Sequence, residues 1–449
     1  LDNSPAGGNV LPLVVAPLAP NFAVEHGEST KTGESAGGPF SRLLLVEHPG
    51  LRQALADEGL GPGSANLIPM HPWQVHNVLG QRYGDQLRTN ALRLLKATIP
   101  ARPLMSYRTF APLATTSTRH PHHIKTSLSV RLTSAIRGVS PAAAHNGPII
   151  SRLLHAVVHT EANFGGKLRV LAEPAAARFE APGSTQSSAG LSASAALAAL
   201  ARANPEDELA PEELLLPTGA LWANSPLSGQ PILGELLDEM CAPHTPGPRP
   251  MYTRAQAADH FARGYAELVL PPILTLLTKY GIAMEAHGEN TLLAIRRGRP
   301  VRYVIRDLGA IRIHPGRLAG QGLHVEPLPG SPVITNDTDE LRNKLYHAQF
   351  VNDARRLVAC LARLSGSPSE NFWRHFRDTT RATFAALARQ RPLSTAARTD
   401  AEALLTRPWP AKALLSMWLG ETPNEYTYLP IANPLAYEPS HTTQGDRTG

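Results

Sequence analysis

The sequence predicts an α+β protein built in two parts, with a cleft between them. Three observations carry this. The chain has 449 residues, too many for one ordinary core. Two short apolar runs, Thr291 to Ile295 and Val301 to Ile305, flank Arg296-Arg297-Gly298-Arg299-Pro300, the pattern of a β-hairpin. Helical periodicity surrounds that hairpin, from about Arg254 to Tyr280 and again from about Asp339 to Leu364. The first part is a mixed or antiparallel sheet domain and the second a sheet backed by helices.

Taken in order, residues 1–40 are Gly- and Pro-rich around one apolar run, Leu11 to Val15, which reads as a strand before a loop through Gly33–Gly38. Leu43 to Val46 reads as a strand and Leu51 to Glu58 as a helix. Leu67 to Met70 leads into His71-Pro72-Trp73-Gln74, where Pro72 suits the first turn of a helix running to about Tyr83. His71 and Trp73 equally suit a packing cluster at the entry of that helix. Leu104 to Pro112 looks extended. Ile124, Thr126, Leu128, Val130 and Leu132 alternate with polar residues, the period of a half-buried strand. Residues 148–172 are mixed, with a turn at Gly165-Gly166-Lys167. Residues 181–194 form a Ser/Ala/Gly-rich loop before an Ala-rich helix. Four prolines between Pro243 and Pro250 mark a boundary. The helix from Arg254 carries Pro271-Pro272, where it should bend. Further helices follow at Glu370 to Arg389 and Lys412 to Leu419. The domains expected are a remnant at 1–40, a core domain at 41–245 and a C-terminal domain at 250–449.

Composition excludes several classes. The net charge of +6 comes with only 6% aromatics and no basic block interleaved with them, so nucleic acid is not the expected partner. An anionic small substrate explains the Arg excess equally well. Leu11 to Pro20 is about half the ~20 residues needed to span a bilayer, so no membrane role is expected. Cys241 and Cys360 form no metal spacing or disulfide framework, which suits a reducing compartment and a cytoplasmic protein.

Two stretches carry the chemistry. The first is Glu285 to Asp307. The hairpin brings Asn290 at one mouth near Asp307 at the end of the return strand, and oxygen ligands of this kind suit Mg²⁺ and hence a nucleoside triphosphate. The second is Thr115 to Arg137. Arg119, Lys125 and Arg137 supply cations, and Ser117, Thr133 and Ser134 supply hydroxyls. Arg suits bidentate contact with phosphate or carboxylate, though a solvated strand face would carry the same charges. His120, His122 and His123 flank Pro121 in a tight turn and are not expected to ligate metal.

Together these stretches resemble the synthetases of NRPS-independent siderophore biosynthesis, the IucA/IucC family. His71 to Gln74 match its HPWQ segment. Ser117-Thr118-Arg119 match its S-x-R-T element, with His120 in place of Thr. Lys125, Thr133, Ser134 and Arg137 match K-x7-T-S-x2-R. Glu285, His287 and Asn290 match E-x-H-x-Q-N, with Glu289 in place of Gln, and Arg306-Asp307 match the R-D that follows. The part after about residue 250 also resembles the FhuF-like domain that ends these enzymes, without the Cys ligands of ferric reductases. A further N-terminal motif of the family, G-H-P-x-H-P-x-x-K, is missing here. The C-terminal Met-Arg-Leu reads Met417-Trp418-Leu419.

The resemblance implies a cupped-hand fold of fingers and palm, with much of the thumb absent, and a homodimer. It implies ATP and Mg²⁺ as cofactors and a role in iron acquisition. The reaction is adenylation of a carboxylic acid, citrate or a derivative, and its condensation with an amine or alcohol. By the match, His287, Arg137 and Lys125 are catalytic. Ser117, Arg119, Lys125, Glu289, Asn290 and Asp307 hold the nucleotide. Thr133, Ser134, Arg137 and His287 hold the acid, and Glu285, Asn290 and Asp307 the metal. Two alternatives stay open. A small-molecule kinase would also use a His287/Asn290/Asp307 hairpin, and an inactive carboxylate-binding fragment would explain the departures.

Overall fold

The computed structural model describes residues 8–28, 37–132, 135–183, 188–242, 251–419 and 427–436. The α+β expectation holds. Eighteen strands are described: β1 Leu11–Leu18, β2 Ala23–Gly27, β3 Asn66–Met70, β4 Thr98–Pro103, β5 Thr109–Pro112, β6 His123–Thr126, β7 Leu128–Leu132, β8 Ala135–Arg137, β9 Leu168–Val170, β10 Ala175–Phe179, β11 Ala198–Arg202, β12 Leu214–Pro217, β13 Ile282–Ala283, β14 Thr291–Arg296, β15 Arg299–Ile305, β16 Arg312–Ile313, β17 Trp409–Lys412 and β18 Tyr428–Ile431. Eight form one antiparallel sheet in the order β2-β10-β11-β6-β5-β4-β1-β3. Four form a second sheet, β12-β14-β15-β9, whose last pair is parallel.

The large sheet buries Leu13, Val15, Leu67, Ile68, Ile99, Phe110 and Ala199 against Phe40, Leu44, Leu45, Leu51 and Leu55 of the helices Pro39–Glu47 and Gly50–Asp57. The second core forms around the helix Arg254–Tyr280, which runs unbroken through Pro271 and Pro272. That helix starts in a capping box of Thr253 and Gln256 and ends at Gly281 in a left-handed conformation. The outer strands of the smaller sheet, β9 and β12, come from residues before 245. The helix Pro141–Thr160 joins the two layers. Its Ala144 packs on Ala176 and Ala198 of the large sheet, while Ile150, Leu154 and Val157 enter the second core.

Four readings need correction. Leu43 to Val46 is helical, not extended. Phe40, Leu44 and Leu45 recur at helical spacing, Pro39 sits in the first turn, and Glu25 accepts the Phe40 and Ser41 amides at 2.7 and 3.0 Å. The Ile124–Leu132 run is two strands in different sheets. It breaks at Ser127, whose Oγ donates to Ala195 and Ala198 carbonyls and accepts the Val139 amide. β6 is buried on both faces, so its polar alternation marks a cleft rather than solvent. Helix forms over Ser188–Ala196, but the run Ala198–Arg202, with three alanines, makes β11 inside the large sheet, where small side chains fit between neighbours. From Leu104 to Arg108 the chain turns before β5 begins, with Tyr107 at φ 60°.

The hairpin forms as read, with a tighter turn. Arg297 and Gly298 both take positive φ, 52° and 72°, the two-residue turn that matches strand twist. A Cβ on Gly298 would lie 2.3 Å from the Leu236 carbonyl, so only glycine fits. The helix expected over Asp339–Leu364 runs as Thr338–Leu345, a π-helical segment Tyr346–Ala354, and Arg355–Ser365. Lys412 ends β17, and the helix there is only Leu414–Leu419. The expected loop at 33–36, the proline cluster at 243–250 and Thr133-Ser134 lie outside the described residues. Among the described residues no helix is long and apolar enough to cross a membrane.

Candidate active site

One cavity of about 480 Å³ gathers most of the residues singled out from the sequence, a size typical of small-molecule sites. Lys125 reaches it from β6, and Arg137 from the end of β8. Glu285, His287, Glu289 and Asn290 reach it from the loop before β14, and Asp307 from the end of β15. Arg108 and Ser140 complete the walls.

Lys125 and Asp307 bind across this cavity. The Lys125 Nζ donates to both Asp307 oxygens at 2.8 and 2.6 Å. Arg202, 2% exposed at the end of β11, lies 3.4 Å from Asp307 and 2.9 Å from the buried Glu173. Burial alone would raise the Asp307 carboxyl, but Lys125, Arg202 and Arg108 outweigh it and hold it well below the usual range. Burial pulls the Lys125 ammonium down, with Asp307 opposing. Asp307 also takes φ 68°, an uncommon conformation for a residue with a side chain. The ion pair and the Glu173 contact to the Leu308 amide, 3.4 Å, hold it there.

The His287 loop is pinned from behind. The His287 carbonyl accepts the Asn290 amide at 2.8 Å and the Thr291 hydroxyl at 3.1 Å. The Gly219 amide donates to the Gly288 carbonyl at 2.9 Å, and a Cβ on Gly288 would lie 2.7 Å from the Gly219 Cα. On the ring, Nδ1 accepts the Glu289 amide at 3.3 Å, and Nε2 lies 3.4 Å from the Asn290 Nδ2. The Arg137 end is braced by Arg108, which donates to the Arg137 and Gly138 carbonyls at 2.8 and 2.6 Å. Gln74 holds the strand feeding it. Its amide donates to the Ser129 hydroxyl and the Ala196 carbonyl and accepts the Ser129 backbone NH. His71 caps the Trp73 amide and packs on Phe110, so His71 and Gln74 of this segment act as scaffold.

Two expected residues, Ser117 and Arg119, do not line this cavity. Ser117 and Arg119 are exposed. Arg119 lines a neighbouring cavity of about 680 Å³ with His120, His123 and Arg306, residues that directly precede or flank Lys125 and Asp307 in sequence. His120 pairs with Asp207 and His122 with Glu47, at 2.7 and 2.6 Å. Arg108, Arg202 and Glu173 were not anticipated. A lone charge closing an apolar run, as in Ala198–Arg202, is the signal that could have found Arg202.

For Mg²⁺, the donor set is partly committed. Glu285 is contacted by Lys344 at 2.8 Å and Lys412 at 3.4 Å; burial opposes them, yet its carboxyl is pulled down to about 2. Among the described residues no three His, Cys, Asp or Glu side chains cluster closely enough to ligate a metal by themselves. Mg²⁺ commonly takes one or two protein oxygens and completes its shell with phosphate and water. Asp307 is held in the same way as Glu285, by Lys125 and Arg202, so either carboxylate would exchange a cationic partner for the metal, and Asn290 lines the same cavity.

The cleft lies at the meeting of two sheets, with Arg and Lys on one wall and carboxylates, an imidazole and a carboxamide on the other. Residues 19–223 match the model of the IucA/IucC family, and residues 259–426 match that of the ferric iron reductase FhuF-like transporter. The first match contains the His71–Gln74, Ser117–Arg119 and Lys125–Arg137 motifs, and the second contains the Glu285–Asp307 stretch. It is 23% identical to the D-ornithine–citrate ligase of Staphylococcus aureus over 83% of its own length and 57% of that protein's, so it spans little more than half of that relative. Its fold is similar to that of the petrobactin biosynthesis protein AsbB from Bacillus anthracis, with a TM-score of 0.77 at 18% identity, covering 97% of this chain and 70% of that one. It is also similar to ATP-bound aerobactin synthetase IucA from Klebsiella pneumoniae, with a TM-score of 0.75 at 21% identity, covering 96% and 71%.

Proposed function

We propose that this chain is an ATP-dependent siderophore synthetase that activates a polycarboxylic acid, citrate or a relative of it, and joins it to an amine or alcohol. The observation that carries the reading is the single cavity holding Arg108, Lys125 and Arg137 opposite His287, Asn290 and Asp307. The acid is a poor electrophile until adenylated. One carboxylate oxygen attacks the α-phosphorus of ATP, a new P–O bond forms, and the bond to the pyrophosphate oxygen breaks. The amine nitrogen or alcohol oxygen then attacks the acyl carbon, AMP leaves, and the nucleophile gives up a proton.

For the described residues the proposed parts rest on their positions, and for Thr133 and Ser134 on the motif match. Lys125 and Arg137 offset charge that grows on phosphate oxygens in a low-dielectric cleft, where fixed donors act most strongly. Arg119 and Arg306, in the adjoining cavity, would meet a nucleotide that extends out of the first, and the motif match adds Ser117, two residues before Arg119. His287 donates to the acid or its phosphate, together with Arg137, Thr133 and Ser134. Mg²⁺, when bound, would neutralise triphosphate charge, with Asn290 and Asp307 as protein ligands and Glu289 near the nucleotide. The same reading puts the enzyme in the cytoplasm, where ATP is available, and in a homodimer, which sedimentation equilibrium checks.

The test is product analysis with citrate and a panel of diamines. Release of AMP and pyrophosphate is expected. ADP without pyrophosphate would replace the reading with a phosphotransferase, and no turnover with any polycarboxylate would sink it.

A further inference from the structure

Behind the His287 loop lies a buried polar chain that the chemistry above does not use. Asp353, on the π-helical segment Tyr346–Ala354, is 1% exposed. Its Oδ2 accepts the Tyr265 hydroxyl, and its Oδ1 lies 3.3 Å from the Thr218 Oγ1. The Thr218 Oγ1 is 2.5 Å from the Thr291 Oγ1, and the Thr291 Oγ1 is 3.1 Å from the His287 carbonyl. Thr218, Thr291 and Gln349 are fully buried.

Each hydroxyl has one proton to give. If Asp353 is ionised, Thr218 must donate to it. Thr291 must then donate to Thr218, and the His287 carbonyl loses its hydroxyl donor. If Asp353 is protonated, its OH donates to Thr218, Thr218 to Thr291, and Thr291 to His287, with every donor used. The proton on one buried carboxyl thus sets the direction of the whole chain. Such ordered hydroxyl chains polarise and reinforce one another in a low dielectric.

We propose that Asp353 is a positioning residue for the proposed adenylation site, acting on the His287 loop through a reversible Thr218–Thr291 hydroxyl relay. The inference rests on the functional reading only for its effect on turnover; the relay itself does not depend on it. The surroundings favour a proton within reach of ordinary pH. Burial raises the Asp353 carboxyl to about 6, against the hydrogen bonds from Tyr265, Thr218 and Gln349 and the charge of Arg356. Tyr265 comes from the helix Arg254–Tyr280, Thr218 from the turn before Leu221, Thr291 and Tyr303 from the hairpin, and Arg356 from the helix Arg355–Ser365. Tyr303 donates to Gln349 at 3.1 Å, and Gln349 donates to Tyr265 at 3.1 Å; burial and the Asp353 charge hold both tyrosines well above their ordinary value, so they stay neutral. Arg356 is the charged group among those acting on the carboxyl.

The experiment has one arm that needs no activity. With ¹³C-labelled Asp and Thr, the Asp353 carboxyl and the Thr291 Cβ should move together with a midpoint near 6 in the native chain. In Asp353→Asn the amide NH₂ donates to Thr218 as the protonated acid would, so the Thr291 signal should stay at its low-pH position. The second arm is citrate-dependent ATP–pyrophosphate exchange, which needs no amine and so no amine titration. Asp353→Asn should remain active, with its ratio to the native rate rising as pH climbs through about 6. Thr218→Val, which keeps the volume and removes the hydroxyl, frees Thr291 to donate to the His287 carbonyl whatever the state of Asp353, so its ratio to the native rate should also rise as pH climbs through about 6. A Thr291 signal that ignores the Asp353 titration, or titrates unchanged in Asp353→Asn, overturns the relay. A moving Thr291 signal with Thr218→Val exchange that follows the native pH profile overturns its role in positioning. Absence of exchange in the native chain condemns the functional reading and leaves the first arm to decide the relay.

Discussion

Asp307 concentrates the argument at the scale of single residues. It combines a left-handed backbone, an ion pair with Lys125 and a place on the cavity wall. Lys125, Arg137, His287, Asn290 and Asp307 were legible in the sequence because their types and spacings are chemically unusual within apolar runs. Arg108, Arg202 and Glu173 were not, because they join the site only through the pairing of strands distant in sequence. Arg137→Gln should lower ATP–pyrophosphate exchange about 10²–10³-fold, the usual cost of one charge-stabilising donor, with little change in thermal unfolding. Equal losses in rate and stability would assign Arg137 to structure instead. Glu285 makes a separate prediction. Its folded carboxyl sits at about 2, below its ordinary value of 4.5, so its contribution is present above 4.5 and lost as pH falls toward 2. At 15% side-chain exposure the shift corresponds to at most about 3 kcal/mol. Lys344→Met should move that acid loss to higher pH. Urea unfolding between about pH 5 and pH 2.5 reads it, and superimposable acid limbs for the two proteins would refute the Lys344 contribution.

At the scale of elements, the hairpin was readable because both strands and the turn lie within one short window. The helix Pro39–Glu47 was misread because its four central residues, Leu43 to Val46, are all apolar and carry no period of their own. Only Phe40 and the Glu25 carboxylate, fifteen residues away, decide for helix. β11 escaped notice for a related reason: alanine favours helix locally, and the neighbouring strands override it. The contact between Gly219 and Gly288 is where two such elements come closest. Gly288→Ala should force the loop off Thr218–Gly219, costing about 1–3 kcal/mol from overpacking and lowering exchange more than it lowers binding of ATP. Calorimetry of ATP binding beside exchange rates separates the two effects. Full activity in this variant would mean that the loop position is not critical. Gln74→Ala tests the other wall. It strips Ser129 of two partners and should destabilise the chain by about 1–3 kcal/mol, read by denaturant unfolding.

Across the whole molecule, the two cores are not joined by a simple linker. β9 and β12 leave the first half of the sequence to flank the hairpin, and the helix Pro141–Thr160 is shared between cores. The sequence foretold a two-part α+β chain with a cleft, because length, strand patterns and helix lengths suffice for that. It did not foretell this strand exchange, since a three-residue strand such as β9 has no periodic signature. The exchange has a thermodynamic consequence. Lys125 of the large sheet and Asp307 of the small one meet across the cavity, so a ligand filling it touches both cores at once. A ligand that binds only the folded state adds about 2.7 kcal/mol at a concentration of 100 Kd. With Mg·ATP, thermal unfolding should therefore remain one transition and move upward as a unit. In Asp307→Asn the upward shift should shrink, because the ligand-facing carboxylate and the partner of Lys125 are lost together. Differential scanning calorimetry with and without Mg·ATP decides it. Two transitions, of which only one responds to ATP, would mean that the cores unfold independently and that the nucleotide rests on one of them alone.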